Sequence, residues 1–199
     1  MARRSEHSRD EIREMALAAA EALIEAEGLA GISARKVAAE IGYTVGSLYM
    51  VFENFDDLLL QVSARTLDQL YLQLTQATQR CRTPQSCIKA LGHTYVQYAV
   101  ANPRRWSAVF EHRLPEGRPS PEWYEKRVER MFALVEQPAA LLHKNRQAVT
   151  AAARVLWCGV HGICMLHMNS KLRQEDQAHL QSLIDNLIEN YLAGWTAKG

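Results

Sequence analysis

The sequence has no surplus of charge of either sign and no familiar catalytic signature. Its 23 basic and 22 acidic side chains nearly cancel, which argues against a general affinity for nucleic acid or for an anionic membrane surface. The patterns G-x-S-x-G and H-E-x-x-H and a phosphate-binding glycine loop do not occur, so the enzyme classes that use them are not indicated. We expect no enzymatic activity and no cofactor.

Long apolar runs are also missing. None approaches the roughly 20 residues that span a bilayer, and acidic residues at Glu14, Glu21 and Glu25 interrupt the first apolar segment, unlike a signal peptide. We therefore expect a soluble, cytoplasmic protein without a membrane partner. The 199 residues are 48% hydrophobic, which is enough for a substantial core in one large domain or two small ones.

Cysteine is scarce, and two of the four cysteines stand close together in sequence. Cys81 and Cys87 flank Pro84 and could approach one another. A disulfide is unusual in a cytosolic protein, although transient bonds serve redox sensing. We expect all four cysteines to stay reduced.

The other two cysteines alternate with histidines at a spacing of three, as Cys158, His161, Cys164 and His167. Each step of three turns a helix back by about 60°, so the first and last of the four lie on opposite faces. Only neighbouring pairs could share an ion, whereas a zinc site takes three or four ligands. We expect no metal site and a buried polar role or a ligand contact for His161.

Strand-like alternation is absent as well, and the punctuation of the sequence predicts an all-α fold with about nine helices. Proline disfavours helical backbone at the preceding residue, so Pro84, Pro103 and the loop 114–121 mark boundaries. The expected helices run from Ser8 or Asp10 to Gly28, from Ser33 to Gly42, from Thr44 to Phe52, from Asn54 or Asp56 to about Arg80, and near 84–101, 103–113, 122–143, 147–171 and 175–196.

The stretch 31–52 carries the most specific pattern. Ser33 and Thr44 are good N-caps for two short helices, and Gly42 suits the left-handed residue that ends the first of them. Two short helices joined by a glycine turn match a helix-turn-helix, whose second helix can enter the major groove of DNA. The same pattern could also be an αα-hairpin in an all-helical core.

This stretch resembles the N-terminal domain of the TetR/AcrR family of transcriptional regulators, whose pattern runs approximately T-x-x-x-I-A-x-x-A-G-V-S-x-G-T-L-Y-x-x-F. The matching positions are Ser33, Val37, Ala38, Gly42, Thr44, Gly46, Ser47, Leu48, Tyr49 and Phe52. The resemblance implies a three-helix DNA-binding domain at 1–53. The predicted DNA-binding residues are Ser33, Arg35, Thr44, Val45, Gly46, Ser47 and Tyr49.

Each of these residues has an expected role. The hydroxyls would reach phosphates, and such contacts set position on DNA rather than sequence. Gly46 would let the helix approach the groove closely, while Val45, Gly46 and Arg35 would face the bases. Leu48 and Phe52 should face inward. A lysine that is common in the family early in the next helix is replaced here by Phe55, which cannot bind phosphate.

The C-terminal part carries a second resemblance to the same family. The segment 95–110 has the family's aromatic helix ending at Asn-Pro, and Trp157-Cys-Gly-Val-His-Gly162 resembles the WHG-type subclass. The resemblance implies a ligand-binding and dimerisation domain at 54–199, in which the last two helices form a four-helix bundle with those of a second copy. The predicted ligand-binding residues, for an apolar or aromatic effector, are Trp106, Phe110, Trp157, His161 and Met165.

Together these patterns predict a ligand-responsive, homodimeric transcriptional regulator. It would repress by binding double-stranded operator DNA whose pseudo-palindromic half-sites lie about one helical turn apart, although activation would use the same domain. The alternative is an all-helical small-molecule-binding or redox- or metal-sensing protein whose helix-turn-helix is purely structural.

Overall fold

A computed structural model describes residues 7–172 and 177–197 of the chain. Over these residues the fold is all-α, as expected, with nine α-helices, one 3₁₀ turn and no strand. The expected start of the last helix at 175 lies outside the described residues. The helices are α1 Arg9–Glu27, α2 Ala34–Glu40, α3 Val45–Leu48, α4 Phe55–Thr78, α5 Pro84–Ala101, α6 Pro103–Glu111, α7 Glu122–Ala139, α8 Arg146–Met168 and α9 Gln177–Thr196.

The chain divides into two compact units, each made of two segments. The first unit contains Met1–Thr66 and Arg104–Tyr124, and the second contains Leu67–Pro103 and Glu125–Gly199. Helices α4 and α7 each contribute residues to both units. The functional boundary between residues 53 and 54 stays a prediction.

Local capping sets the helix starts of the first unit. Ser8 Oγ accepts a bond from the amide of Glu11, and the Glu11 carboxylate accepts one from the amide of Ser8 at 2.7 Å, which makes a capping box. Asn54 Oδ1 accepts a bond from the amide of Asp57 at the start of α4. Gly42 has a φ of 72° after α2, the left-handed conformation predicted for it.

The core of the first unit is formed by α1, the helix-turn-helix and the start of α4. Leu48 and Phe52 are 1% and 3% exposed, so the prediction that they face inward is confirmed. Helix α6 adds Ala108 to the same core cluster, although it lies some 50 residues further along the chain.

Charged side chains attach α6 to α1 in this unit. The Arg104 guanidinium donates to the carbonyls of Glu25, at 2.9 Å, and Ala26, where α1 leaves its last carbonyls without helical partners. Arg105 pairs with Glu21 at 3.3 Å, and both side chains are largely buried.

In the second unit, α5, α8 and α9 pack against one another around small residues. A Cβ added to Gly92 on α5 would lie 3.0 Å from Ile184 and 3.1 Å from Ile188 of α9. A Cβ added to Gly159 on α8 would lie 2.6 Å from the Leu187 side chain. The missing side chain of Gly159 therefore permits the close approach of α8 and α9.

A disulfide joins Cys81 and Cys87 in this unit, so the expectation that all four cysteines stay reduced is wrong for these two. The chain reverses direction between α4 and α5, which brings their Cα atoms within 5.2 Å, a separation that a disulfide readily spans. Cys158 and Cys164 are free thiols.

Helix α8 has a property that the sequence reading missed. Among the described residues it is the one helix long and apolar enough, by length and composition, to cross a membrane. Core helices of soluble proteins satisfy the same criterion. Here Ala152, Leu156, Val160 and Cys164 of α8 are buried against neighbouring helices.

Candidate DNA-binding surface and C-terminal aromatic cluster

The second helix of the helix-turn-helix is short. Helix α3 covers Val45–Leu48, whereas the apolar spacing predicted a helix as far as Phe52. The next residues continue as a tight turn, in which the amide of Met50 donates to Ser47 and that of Val51 to Leu48. Bonds between residues three apart tighten a helix end in this way.

Two of the predicted phosphate-binding hydroxyls, those of Thr44 and Ser47, bind each other. Thr44 caps α3 by accepting a bond from the Ser47 amide at 3.3 Å, and the two side-chain oxygens are 3.1 Å apart. Because each hydroxyl carries one proton, the mutual bond uses one of the two. The pair therefore offers one proton, not two, to a phosphate oxygen.

The surface around Gly46 is open. Among the described residues, an added Cβ would meet only the hydroxyl of Thr44, at 3.6 Å, so nothing else in that part of the chain fills this space. Tyr49 and Met50 stand nearby in sequence with 49% and 62% of their surface exposed. The bare backbone of Gly46 and the exposed side chains of Tyr49 and Met50 therefore lie within five positions of one another.

Ser33 and Arg35 lie at the start of α2. The Ser33 hydroxyl accepts a bond from the amide of Lys36, so this residue caps the helix as predicted. Arg35 is exposed, and its guanidinium makes no ion pair with the described residues. Lys36, by contrast, is paired with Glu27 at 2.5 Å and donates to the carbonyl of Gly31.

Val45 and Phe55 are only partly exposed and pack against the core cluster of the first unit. For Phe55 this placement explains how an apolar residue occupies the position at which a family lysine would meet phosphate. Val45 presents part of its side chain to solvent beside Gly46.

A contact that the sequence did not indicate supports the turn between α2 and α3. Tyr43 lies in this turn, and its hydroxyl oxygen is 2.7 Å from Nδ1 of His7, with the two rings edge to face. His7 immediately precedes Ser8, the cap of α1. The start of α1 and the turn are 36 residues apart in sequence, so no local pattern reports this contact.

In the second unit, Trp157 and His161 form the centre of an aromatic cluster. Their rings are stacked with centroids 4.9 Å apart, because residues four apart share one helix face. Met165 follows after one more turn and is half-buried. Nδ1 of His161 lies 2.7 Å from the hydroxyl oxygen of Tyr95 on α5.

Phe132 of α7 completes this aromatic cluster, with its ring edge to face against Trp157 at 5.7 Å. The guanidinium of Arg154 lies over the Phe132 ring, 5.4 Å from its centroid. The sequence reading named neither Phe132 nor Tyr95 as a site residue. The other two predicted ligand residues, Trp106 and Phe110, belong to the first unit, where their rings contact at 4.8 Å and Trp106 is 1% exposed.

Burial sets the protonation of two side chains on α8. It lowers the pKa of His161, since the charged imidazolium loses hydration. It raises the pKa of the Cys164 thiol to about 12. The imidazole is therefore neutral at physiological pH, and in its Nε2-protonated tautomer it accepts a hydrogen bond from Tyr95.

A small groove of about 210 Å³ lies between α5 and α9 in the second unit. Its lining residues are Gln85, Lys89, Ile188, Glu189, Leu192, Ala193 and Thr196. None of the five predicted ligand-binding residues belongs to this groove. Across residues 7–172 and 177–197, no three side chains of His, Cys, Asp or Glu are grouped to hold a metal ion.

Two family models match the chain. Residues 16–62 match the model described as bacterial regulatory proteins of the tetR family. Residues 88–191 match the model of the tetracyclin repressor-like C-terminal domain. The first match contains all seven predicted DNA-binding residues, and the second contains the aromatic cluster. A search of curated protein sequences found no match.

Solved structures share the fold over nearly the whole chain. A protein of unknown function from Rhodococcus sp. RHA1 has a TM-score of 0.75 at 19% identity, covering 98% of each chain. A TetR-family transcriptional regulator from Streptomyces coelicolor has a TM-score of 0.72 at 13% identity, covering 97% of this chain and 85% of the other. RolR in complex with resorcinol has a TM-score of 0.67 at 12% identity, covering 95% and 93%.

Proposed function

This chain belongs to the TetR family of bacterial regulatory proteins, and we propose that it is a cytoplasmic, homodimeric repressor that a small molecule releases from its operator. DNA-binding transcriptional regulation follows from the family. Repression, the effector, the operator's symmetry and the dimer are the proposed parts.

The observation that carries the DNA-binding site is the open surface from Thr44 to Tyr49. Gly46 leaves space that none of the described residues occupies, and the hydroxyl-bearing residues Thr44 and Ser47 stand on both sides of it in sequence. A backbone that comes close to the groove floor, with hydroxyls directed to phosphates, fits the way a recognition helix docks. Because α3 is short, the base contacts that α3 and the turn after it can make are limited to Val45, Gly46 and the exposed Met50.

Arg35 is the cation best placed to add sequence preference. It is exposed on α2 without an ion-pair partner among the described residues, whereas Lys36 is engaged by Glu27. An arginine can bind guanine through two hydrogen bonds, worth about 1–3 kcal/mol of discrimination. The first 52 residues carry six basic and eight acidic side chains, so nonspecific binding should be weak at physiological salt.

Selection from random double-stranded DNA tests the site. We expect enrichment of a two-fold symmetric sequence, and we expect Arg35→Gln to relax the preference at one base position in each half-site. Lys36→Gln is the matched control and should leave the preference unchanged. If no sequence is enriched, the helix-turn-helix is only structural.

The aromatic cluster supports a flat, largely apolar effector. Trp157 and Phe132 offer ring faces and edges, and neutral His161 can supply one polar contact. The solved structure of RolR, whose fold this chain shares, is a complex with resorcinol, a small aromatic diol. We propose that the effector binds in the second unit, with contacts from Trp157, His161 and Met165; Trp106 and Phe110 belong to the first unit and are left out of this proposal.

The proposed release of the operator by an effector can be tested, because the coupling between the two ligands acts equally in both directions. If an effector weakens operator binding, the operator must weaken effector binding by the same factor. Calorimetry with dihydroxybenzenes, with and without the selected DNA, should show a difference of roughly 5–150-fold. Equal affinities for a compound that binds would exclude release by that compound.

The exposed apolar face of α8 supports the dimer. Val155 and Leu166 are 50% and 47% exposed, Cys158 is exposed, and a Cβ added to Gly162 would meet no atom of residues 7–172 or 177–197 within 4 Å. These positions are spaced by three or four and follow one stripe of the helix. A stripe of this kind suits an isologous contact with a second copy.

Sedimentation of a charge variant tests the dimer. Val155→Glu should give monomers at micromolar concentration, because it places two carboxylates against the same interface. Leu72→Glu is the control, since Leu72 is similarly exposed on α4. A parent protein that is already monomeric would exclude the dimer. Leu187→Arg is a poorer probe, because Leu187 packs on Gly159 within its own chain.

A further inference from the structure

The disulfide between Cys81 and Cys87 closes the connection between α4 and α5. Cys81 follows the end of α4 by three residues, and Cys87 is the fourth residue of α5. The bond therefore ties the region just beyond one helix to the first turn of the next. The junction formed by residues 78–87 is described throughout.

This bond is accessible to small reagents. Both bonded cysteines are half-buried, and Arg80, Arg82 and Thr83 beside them are exposed. Cys164 is different, because it is fully buried and burial raises its pKa to about 12. Accessibility and thiolate character decide which cysteines react, so the 81–87 pair is a far better target than Cys164.

The charges around the pair favour thiol–disulfide exchange. Arg80 and Arg82 flank Cys81 directly in sequence, and Cys87 lies in the first turn of α5, where the helix dipole is positive. Nearby positive charge stabilises thiolates, which are both the attacking and the leaving groups of exchange.

The start of α5 has contacts of its own besides the disulfide. Thr83 Oγ1 accepts a bond from the amide of Ser86 at 3.1 Å, and Ser86 Oγ accepts one from the amide of Thr83 at 3.0 Å. Ile88 and Leu91 of α5 are 3% and 4% exposed in the core. The cap and these apolar contacts stabilise the start of α5 in addition to the disulfide.

We propose that Cys81 and Cys87 form a reversible redox site at which thiol–disulfide exchange changes operator affinity. The regulatory part rests on the proposed function, since a regulator of cytoplasmic DNA works in a reducing compartment. Disulfides that form there are usually transient and sensory or catalytic. The disulfide then closes under oxidising conditions and opens when the cell's thiols are reduced again.

The exchange is balanced with a low-molecular-weight thiol–disulfide couple such as glutathione. A glutathione thiolate attacks one sulfur of the disulfide, breaks the S–S bond and forms a mixed disulfide. A second glutathione thiolate releases the protein thiol, so the protein gains two electrons and two protons and one glutathione disulfide forms. Oxidation is the reverse sequence.

Helix α4 links this site to DNA binding. It is one continuous helix from Phe55 to Thr78, and it begins three residues after Phe52, the last residue of the predicted recognition segment. The disulfide restricts the other end of the same helix. A rigid element with one end restrained or released is the kind of physical connection that coupling requires.

The test uses the full chain without substitutions, and peptide mapping assigns each label to its cysteine, because the exposed Cys158 lies on the proposed dimer face. The protein is equilibrated in reduced and oxidised glutathione at a series of ratios, free thiols are alkylated, and mass spectrometry counts the labels. We expect two labels to disappear together as the oxidised fraction rises. Fluorescence anisotropy with the selected operator should then show at least a threefold difference in Kd between the two states.

Variants separate the parts of the proposal. Cys81→Ser/Cys87→Ser should keep its helical circular dichroism and bind DNA equally under both conditions, with the Kd of the reduced parent; Cys81→Ala/Cys87→Ala repeats the test.

A pair that stays closed or open at every glutathione ratio overturns the redox site. A Kd difference below threefold overturns its coupling to DNA. A pair that titrates in a protein that binds no selected DNA leaves the redox site standing and overturns the proposed function.

Discussion

Gly46 in the first unit and Gly159 in the second both remove a side chain from a helix, but different things occupy the space that is left. Above Gly46 a Cβ would meet only a hydroxyl at 3.6 Å, whereas above Gly159 it would meet Leu187 at 2.6 Å. The second glycine serves packing between α8 and α9. Within the part of the chain that the structure describes, no side chain packs closely on the first, which is why we assign its open side to DNA.

The largest expected effect comes from filling the open space. Gly46→Leu should lower operator affinity at least a hundredfold, about 2.7 kcal/mol, because the side chain would hold the helix away from the groove. Leucine is also the better helix former, so the free energy of unfolding should not fall. Operator anisotropy and urea unfolding measure the two quantities. A Leu variant that binds like the parent contradicts the docking geometry.

Filling the occupied space should have the opposite result. Gly159→Val should lower the free energy of unfolding by about 1–3 kcal/mol, the usual effect of overpacking a core. Operator affinity of the folded fraction should change little. Adding Leu187→Ala should recover part of the loss, because it removes the atoms that the new side chain meets. Full stability in Gly159→Val would show that α8 and α9 pack more loosely than described.

Helix starts were predictable because the signals are local. Ser8, Ser33 and Thr44 cap the helices assigned to them, and proline at N1 sets the start of α5. Helix ends were harder, since the spacing of Leu48 and Phe52 fits a continuing helix as well as the tight turn that forms. The end of α7 at Ala139, four residues earlier than expected, follows Pro138, whose ring cannot donate a backbone bond.

The residues of the candidate sites also differ in whether a local sequence signal identifies them. The hydroxyls and glycine of 44–49 are adjacent in sequence, so a motif can identify them. The aromatic cluster brings Tyr95, Phe132 and Trp157 together from three helices; Tyr95 and Trp157 each stood in a motif, and Phe132 did not. The pairing of Arg105 with Glu21, and of Cys81 with Cys87, also depends on how the chain turns, which composition and periodicity do not specify.

A smaller effect is expected from substitutions of Thr44 and Ser47, because their mutual hydrogen bond leaves the pair one proton to donate to a phosphate. Ser47→Ala leaves the Thr44 hydroxyl able to donate to phosphate, and Thr44→Val leaves that of Ser47, so each single variant should keep operator affinity within about threefold. The double variant loses the donor and should bind at least tenfold more weakly, since a bond to a charged group contributes about 1.5–3 kcal/mol.

Thr44→Val also removes a helix cap, which costs about 1 kcal/mol of stability; binding is therefore compared at temperatures where both proteins are folded. Losses in the singles that simply add up to that of the double would show that the two hydroxyls act on phosphates independently.

The smallest effect concerns His161 and pH. Burial places its folded-state pKa below the ordinary value of 6.5, so the unfolded chain takes up a proton there before the folded protein does. The contribution of neutral His161 to stability is therefore complete above about pH 6.5 and is lost as the pH falls toward the folded-state pKa.

Urea unfolding of the parent should show a lower free energy of unfolding at pH 5.5 than at pH 7.5. His161→Gln should reduce that difference. An unchanged difference in His161→Gln would mean that other groups carry the pH dependence and that the imidazole is hydrated in the folded protein.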